Sequence, residues 1–137
     1  VSPSLDTIEI GKAELKRQGE KVVILAFGSM VQPALDAAEQ INATVVNMRF
    51  VKPLDNALIE KMANAHELII TIEENTHLGG AGSAVAEYLL AIGNTTPFKI
   101  MGLPDKFIDH GEHKQMLSDC GLDAKGILDT VNNHFPA

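Results

Sequence analysis

One stretch, residues 68–90, constrains the fold of this chain more than any other part of its sequence. It begins as the apolar, β-branched run LIITI, and this run ends in two adjacent carboxylates, Glu73 and Glu74. A glycine cluster follows at Gly79, Gly80 and Gly82. An apolar helical pattern comes next, so the order is strand, acidic tip, tight turn and helix. Open parallel sheets carry their functional surface at the carboxyl ends of the strands, and we expect the contacts of this chain to lie near the turn.

Strand-like and helix-like segments alternate along the rest of the chain. Strands are predicted at residues 11–17, 21–27, 43–50, 68–72 and 97–103. Helical segments of about 10–12 residues separate the last four strands, and such connections imply right-handed crossovers in a parallel sheet. The turn at residues 18–20 is too short for a crossover, so it predicts an antiparallel pair between the first two strands. We therefore predict an α/β fold with three layers, α/β/α, and a mostly parallel sheet of about five strands with one antiparallel edge strand.

Several polar residues mark predicted helix starts. Ser29 is a candidate N-cap after the strand at residues 21–27, and Asp55 is a candidate N-cap for a helix that ends near residue 65. A helix is predicted near residues 112–120, and a second one, capped by Asp123, is predicted to end near His134.

Composition and charge exclude several classes of function. The chain has 137 residues, a net charge of −7 and one cysteine, Cys120. The acidic charge argues against nucleic acid and against an anionic membrane surface, and no apolar run reaches the roughly 20 residues of a membrane span. A single cysteine excludes a disulfide framework, so we expect a cytoplasmic protein. Residues 1–10 are predicted to be a linker and residues 11–137 a single domain cut from the end of a longer protein.

The glycine cluster resembles the phosphate-binding turn of a dinucleotide fold, with Asp105 as the downstream acidic residue. Three observations argue against that function. Val85 occupies the third glycine position, the turn does not follow the first strand, and the preceding carboxylates would repel a phosphate. The alternative is that the glycines allow this turn to pack closely against another surface, and we favour that alternative.

Two other polar clusters, the adjacent glutamates and the histidines near residue 110, can also be explained without a catalytic or metal site. Glu73 and Glu74 point to opposite faces of an extended strand, so they do not form an acid–base pair. We expect one of them to accept hydrogen bonds from the amides of the glycine turn and the other to be free for a partner, unless both are solvated at the tip. His110 and His113 have a spacing that suits a metal, with Asp109 and Glu112 as oxygen donors, but no third His or Cys lies nearby and a polar loop leading into a helix explains them better.

Four segments of the sequence carry a family resemblance. They are IGKAELKRQGEKVVILAFGSM, VVNMRFVKPLDNALIEKMANAHELIITIEEN, GGAGSAVAEYL and GLPDKFIDHGEHKQMLSDCGLDAKGI. Together they resemble the C-terminal domain of the 1-deoxy-D-xylulose-5-phosphate synthase family, which consists of transketolase-like enzymes. The segments occur in the family's order and cover nearly the whole chain. Ala84 and Ala86 depart from the family, which often has Gly and Asn after GGAGS.

The resemblance implies an enzyme that condenses pyruvate with glyceraldehyde 3-phosphate and releases carbon dioxide. The product feeds isoprenoid, thiamine and pyridoxal biosynthesis. The family uses thiamine diphosphate and magnesium and works as a homodimer. The GDG motif that binds the cofactor through the metal is missing here, and the other cofactor and substrate residues belong to upstream domains. The resemblance therefore implies no catalytic, cofactor-binding or metal residue in this chain, and we expect the chain alone to be inactive.

The expected role is assembly with the upstream domains and in the homodimer. The residues expected to face the interface or the approach to the active site are Glu73, Glu74, His77, Gly79, Gly80, Gly82, Asp105, Phe107 and His110. Leu103, Phe107 and Ile108 are expected to add apolar contact area, and Arg49 and Lys52 to pair with acidic groups on a neighbour. Three alternatives remain open: the equivalent domain of a 2-oxo acid dehydrogenase β subunit, a stand-alone nucleotide-binding module, and a pure interaction or regulatory domain.

Overall fold

A computed structural model describes residues 9–76, 80–103, 117–118 and 121–135, without the side chains of residues 75, 76 and 103. Five strands form one sheet in the order β1-β3-β2-β4-β5. The strands are β1 (Glu14–Arg17), β2 (Val22–Ala26), β3 (Thr44–Asn47), β4 (Leu68–Thr76) and β5 (Phe98–Leu103). Strands β2 to β5 are parallel, and β1 pairs antiparallel with β3 at the edge. The predicted sheet of five strands with one antiparallel edge strand is confirmed.

Helices cover both faces of this sheet and complete the three layers. They are α1 (Val31–Ile41), α2 (Asn56–Ala65), α3 (Ala81–Ala91) and α4 (Ala124–His134), and a short 3-10 turn (Gly28–Met30) precedes α1. Helices α1 and α4 pack on one apolar cluster, whereas α2 and α3 pack on the other. In the described part of the chain, no helix is both long and apolar enough for a membrane crossing.

The central strand β2 explains why the sheet is buried on both sides. All five of its residues are buried; Val22, Ile24 and Ala26 join the α1/α4 cluster, while Val23 and Leu25 join the α2/α3 cluster. A strand with helices on both faces needs an apolar side chain at every position, which is why it appears as a continuous apolar run in the sequence.

The partner of β1 differs from the prediction. The expected antiparallel pair between residues 11–17 and 21–27 is wrong, because both edges of β2 are occupied by β3 and β4. The link between β1 and β2 instead crosses beneath the start of β3, where the Glu20 amide donates to the Asn42 carbonyl at 2.8 Å. A Cβ atom at Gly19 would lie 2.2 Å from that same carbonyl oxygen, so the crossing requires glycine.

Two of the three predicted helix caps are confirmed. The Asp55 carboxylate accepts from the Leu58 amide at 3.2 Å, and the Asp123 carboxylate accepts from the Gly126 amide at 2.8 Å. Ser29 does not cap a helix, since it lies within the 3-10 turn before α1 and its hydroxyl bonds elsewhere.

One buried histidine has a structural function. His66 is 8% exposed, and its Nδ1 lies 2.7 Å from the Met62 carbonyl oxygen while its Nε2 lies 2.7 Å from Thr44 Oγ1. Because a carbonyl only accepts, Nδ1 carries the proton. The ring thus joins the end of α2 to the start of β3.

Candidate functional site

The chain topology identifies where this sheet opens into a crevice. The connection from β2 runs through α1 to β3 on one side, whereas the connection from β4 runs through α3 to β5 on the other side. The connections that leave the carboxyl ends of β2 and β4 therefore run in opposite directions. This makes the position between the two strand ends a topological switch point, which is where open α/β sheets usually bind ligands. Ser29 follows β2 at this point and Glu74 lies near the end of β4.

The Glu73 side chain caps the N-terminus of α3. Its side chain is 1% exposed, and its two carboxylate oxygens accept from the amides of Ala81 at 2.9 Å and Gly82 at 3.0 Å. These are amides that a helix leaves without an internal partner, and the helix dipole favours a negative charge beside them. The prediction that one carboxylate accepts hydrogen bonds from the glycine turn is confirmed.

The same contact bears on the dinucleotide alternative. A pyrophosphate at a helix N-terminus is held by backbone amides. Here the Ala81 and Gly82 amides already bond to Glu73, which brings its own negative charge to the position of the phosphate. This geometry does not favour a dinucleotide at the start of α3.

Glu74 lies on the opposite face of β4, as the alternation of strand side chains predicts. The Ser29 hydroxyl donates to Glu74 Oε1, so the two residues bridge the carboxyl ends of β2 and β4. The expectation that the second carboxylate is free is therefore wrong. Ser29, which sequence reasoning assigned to a helix cap, instead donates a hydrogen bond across the switch point on this face.

A cavity of about 320 Å³ lies beside the Ser29–Glu74 bridge. Its described lining residues are Ser29, Met30, Pro33, Glu74, Leu117, Ser118, Leu122 and Asp123. The walls are thus apolar with two carboxylates and two hydroxyls, and none of these residues is basic. Within the described ranges, no group of three His, Cys, Asp or Glu residues could hold a metal ion.

The two described glycines of the turn have different surroundings. Gly80 is half-buried and precedes α3 with φ −86°, a conformation open to any residue. Gly82 is buried, and a Cβ atom there would meet the side chains of Thr71 and Ile100. The close packing expected of the glycines is thus found at Gly82, where the surface contacted is the domain's own sheet.

Other expected site residues lie outside the described residues. They are His77, Gly79, Asp105, Phe107, Ile108, Asp109, His110, Glu112 and His113, together with Cys120. Arg49 is described, and its guanidinium lies 3.0 Å from the Glu14 carboxylate of the same chain. The structure therefore gives Arg49 an ion-pair partner within this domain.

Sequence reasoning missed the second contact of Asp55 and the Ser29–Glu74 bridge. Asp55 Oδ2 accepts from the Ala13 amide at 2.8 Å, and this hydrogen bond joins the segment before β1 to the start of α2. Both contacts join residues more than 40 positions apart, and no local pattern signals such a pair.

Comparison with known proteins gives consistent matches. The family model described as transketolase, C-terminal domain, matches residues 11–127. A 1-deoxy-D-xylulose-5-phosphate synthase from Nitrosospira multiformis is 54% identical over 132 residues, covering 96% of this chain and 22% of that enzyme. The synthase from Thioalkalivibrio sulfidiphilus is 55% identical over 131 residues, covering 96% of this chain and 20% of that enzyme. The chain thus spans about a fifth of the length of these curated relatives.

A solved structure supports the same comparison. A split-gene transketolase, solved as an inactive β4 tetramer, superposes with a TM-score of 0.84 at 33% identity. The match covers 97% of this chain and 45% of that chain.

Proposed function

The chain belongs to the transketolase C-terminal domain family, and from that premise we propose that it is the assembly domain of a 1-deoxy-D-xylulose-5-phosphate synthase. The complete enzyme would condense pyruvate with glyceraldehyde 3-phosphate and release carbon dioxide, using thiamine diphosphate and magnesium. This domain would hold the preceding domains in an active homodimer and would be inactive alone.

One observation carries the proposal: identity of 54% over 96% of the chain with a synthase of which the chain spans only 22%. Identity at that level across a whole domain favours a shared role in the same enzyme. The remaining part of such an enzyme provides room for the cofactor and substrate sites. The split-gene transketolase forms an inactive β4 tetramer, and this chain covers 45% of the chain in that structure. The tetramer supports self-association and inactivity of a longer chain that contains such a domain.

The described residues do not fit the cofactor. A diphosphate held through magnesium needs oxygen ligands for the metal, and the described part of the chain has no such cluster. The α3 amides that could approach a diphosphate bond to Glu73 instead. We propose that cofactor chemistry belongs to the other domains of the complete enzyme, and we derive no catalytic step from the described residues.

The alternatives find less support. The Nitrosospira and Thioalkalivibrio relatives, which match over 96% of the chain, bear the synthase name, and this speaks against a 2-oxo acid dehydrogenase β subunit. The carboxylate at the start of α3 speaks against a nucleotide-binding module.

A mixing experiment tests the proposal. The preceding domains of the enzyme are produced separately, and this chain is added with thiamine diphosphate, magnesium, pyruvate and glyceraldehyde 3-phosphate while carbon dioxide release is measured. The matched control is the Gly82→Leu chain, whose new side chain cannot pack over Thr71 and Ile100. We expect release only in the mixture with the wild-type chain. If the preceding domains alone are as active as the mixture, the assembly role is wrong. If this chain alone releases carbon dioxide, the proposal that it is inactive alone is wrong.

Gly80 provides a second test, of the homodimer. Its backbone conformation is open to any residue, so Gly80→Phe should add bulk to the turn without backbone strain. We expect Gly80→Phe to weaken the dimer of the complete enzyme and Gly80→Ser, a small residue favoured at N-caps, to leave it intact. An unchanged sedimentation profile together with unchanged turnover for Gly80→Phe would contradict a dimer contact at the turn.

A further inference from the structure

Apolar side chains are exposed together at the β1 edge of the sheet. Among the described residues, five large apolar side chains are exposed, and three of them belong to this edge. They are Ile10, which is 77% exposed, Leu15, which is 45% exposed, and Val51, which is 37% exposed. Single exposed apolar side chains need no explanation, but a group of them on one surface suggests a covered interface.

Backbone pairing brings these three residues to the same region. β1 runs antiparallel to β3 with Glu14 opposite Asn47, so residues before 14 lie beside residues after 47. The Arg49–Glu14 ion pair at 3.0 Å and the hydrogen bond from the Ala13 amide to Asp55 hold the two segments together. Ile10 and Val51 thus lie at one end of the edge, with Leu15 further along β1.

The same edge is basic in an otherwise acidic chain. Residues 9–16 and 49–52 contain four basic and two acidic residues, whereas the whole chain has a net charge of −7. Lys12, Lys16 and Lys52 are exposed, and Glu14 pairs with Lys16 as well as Arg49. Lys12 and Lys52 have no ion pair with any residue that the structure describes.

The edge strand itself is also open. Within the described chain β1 pairs only with β3, so its outer side presents backbone donors and acceptors without a neighbouring strand. Soluble proteins cover such edges or protect them with charge. We name the surface formed by Ile10, Lys12, Leu15, Val51 and Lys52 the edge surface.

We propose that the edge surface docks on the preceding domain of the complete enzyme, against an apolar patch rimmed by acidic side chains. This inference rests on the proposed function. A C-terminal domain follows the rest of its enzyme, and Glu9, the first residue that the structure describes, lies at this same edge. The preceding domain is therefore the partner that the connection brings nearest. A mixed apolar and polar contact of this kind is typical of interfaces between domains.

Lysine reactivity in the complete enzyme tests the proposal. Reductive methylation of the assembled enzyme, read by peptide mass spectrometry, gives the rate at each lysine. Lys125 on α4, whose side chain is 84% exposed, is the internal reference. We expect Lys12 and Lys52 to react several-fold more slowly than Lys125, since docking would cover them. The variant Ile10→Ser/Val51→Ser should raise both rates toward that of Lys125.

Leu90→Ser is the matched control. Leu90 is also 77% exposed, but it lies on α3, which packs near β5 at the opposite edge of the sheet. We expect this control to leave the rates at Lys12 and Lys52 unchanged. The docking surface would be wrong if those lysines react as fast as Lys125 in the wild-type enzyme, or if Leu90→Ser releases them equally.

Carbon dioxide release from the same preparation separates the two claims. An enzyme that releases carbon dioxide from pyruvate and glyceraldehyde 3-phosphate while Lys12 and Lys52 remain reactive would overturn only the docking surface. An enzyme without that activity would overturn the proposed function.

Discussion

Gly82 packs directly on Thr71. A Cβ atom at position 82 would lie 2.5 Å from Thr71 Oγ1 and 2.8 Å from Ile100 Cγ2, which is closer than real Cβ contacts allow. The missing side chain lets the first turn of α3 approach β4 and β5, and this approach brings the α3 amides within reach of the Glu73 carboxylate. The glycine and the buried carboxylate thus act on the same helix end.

Gly82→Ala should therefore destabilise the domain. Overpacking of this kind costs about 1–3 kcal/mol, and the better helix propensity of alanine offsets at most about 1 kcal/mol. We expect a lower free energy of unfolding in urea for the 137-residue chain. The loss should be smaller when the change is made in a Thr71→Ala background, because one of the two contacting groups is then gone. A loss of equal size in both backgrounds would show that Thr71 is not the contact.

Thr71→Val should leave stability unchanged or raise it. Thr71 is fully buried, and its Oγ1 has no hydrogen-bond partner among the described residues. Burial of an unsatisfied hydroxyl costs about 1–3 kcal/mol, and valine has a similar shape without that group. Urea unfolding measures the difference. A clear decrease in the free energy of unfolding would mean that the hydroxyl has a partner after all.

Glu73→Gln should destabilise the chain more than Glu74→Gln. Both oxygens of Glu73 accept from backbone amides in a buried site, and an amide side chain replaces one acceptor with a donor that faces another donor. Leaving such groups unsatisfied costs about 1–3 kcal/mol. Glu74 is only half-buried, and the oxygen of a glutamine could still accept from Ser29. If both variants lose the same free energy of unfolding in urea, the hydrogen bonds that Glu73 accepts from the α3 amides do not contribute the stability expected of them.

Tyr88 should ionise late in an alkaline titration. Burial raises its pKa above the ordinary 10.0, and the charge of Glu60 and a hydrogen bond to it act in the same direction. Tyr88 is the single tyrosine of the chain, so ultraviolet absorbance reports it alone. Because the folded state holds the phenol proton more tightly than the unfolded state, its contribution makes stability fall as the pH rises past 10.0.

Glu60→Gln is the control for this titration. Removing the carboxylate should lower the pKa of Tyr88 relative to the wild type, while burial keeps it above the ordinary value. An unchanged titration curve would mean that Glu60 does not act on the phenol.

Local chemistry was enough to predict most elements. The apolar run at β2 predicted a strand buried on both faces, and the Asp55 and Asp123 caps were predicted from their positions before helical patterns. The opposite directions of Glu73 and Glu74 follow from the alternation of a strand. These features depend on residues close together in the chain, and hydrophobic periodicity and capping report such residues directly.

The sequence by itself thus determined the class of fold, the central strands and the fact that the acidic tip lies at the carboxyl ends of the strands. Only the tertiary structure decided that β1 pairs with β3, that Glu73 rather than Glu74 caps α3, and that Ser29 bonds to Glu74. The physical reason is that a strand's pattern specifies which of its faces is buried but not which neighbour it pairs with. Pairing depends on the free edges left by the other strands, and contacts across more than 40 residues depend on where the whole sheet places them.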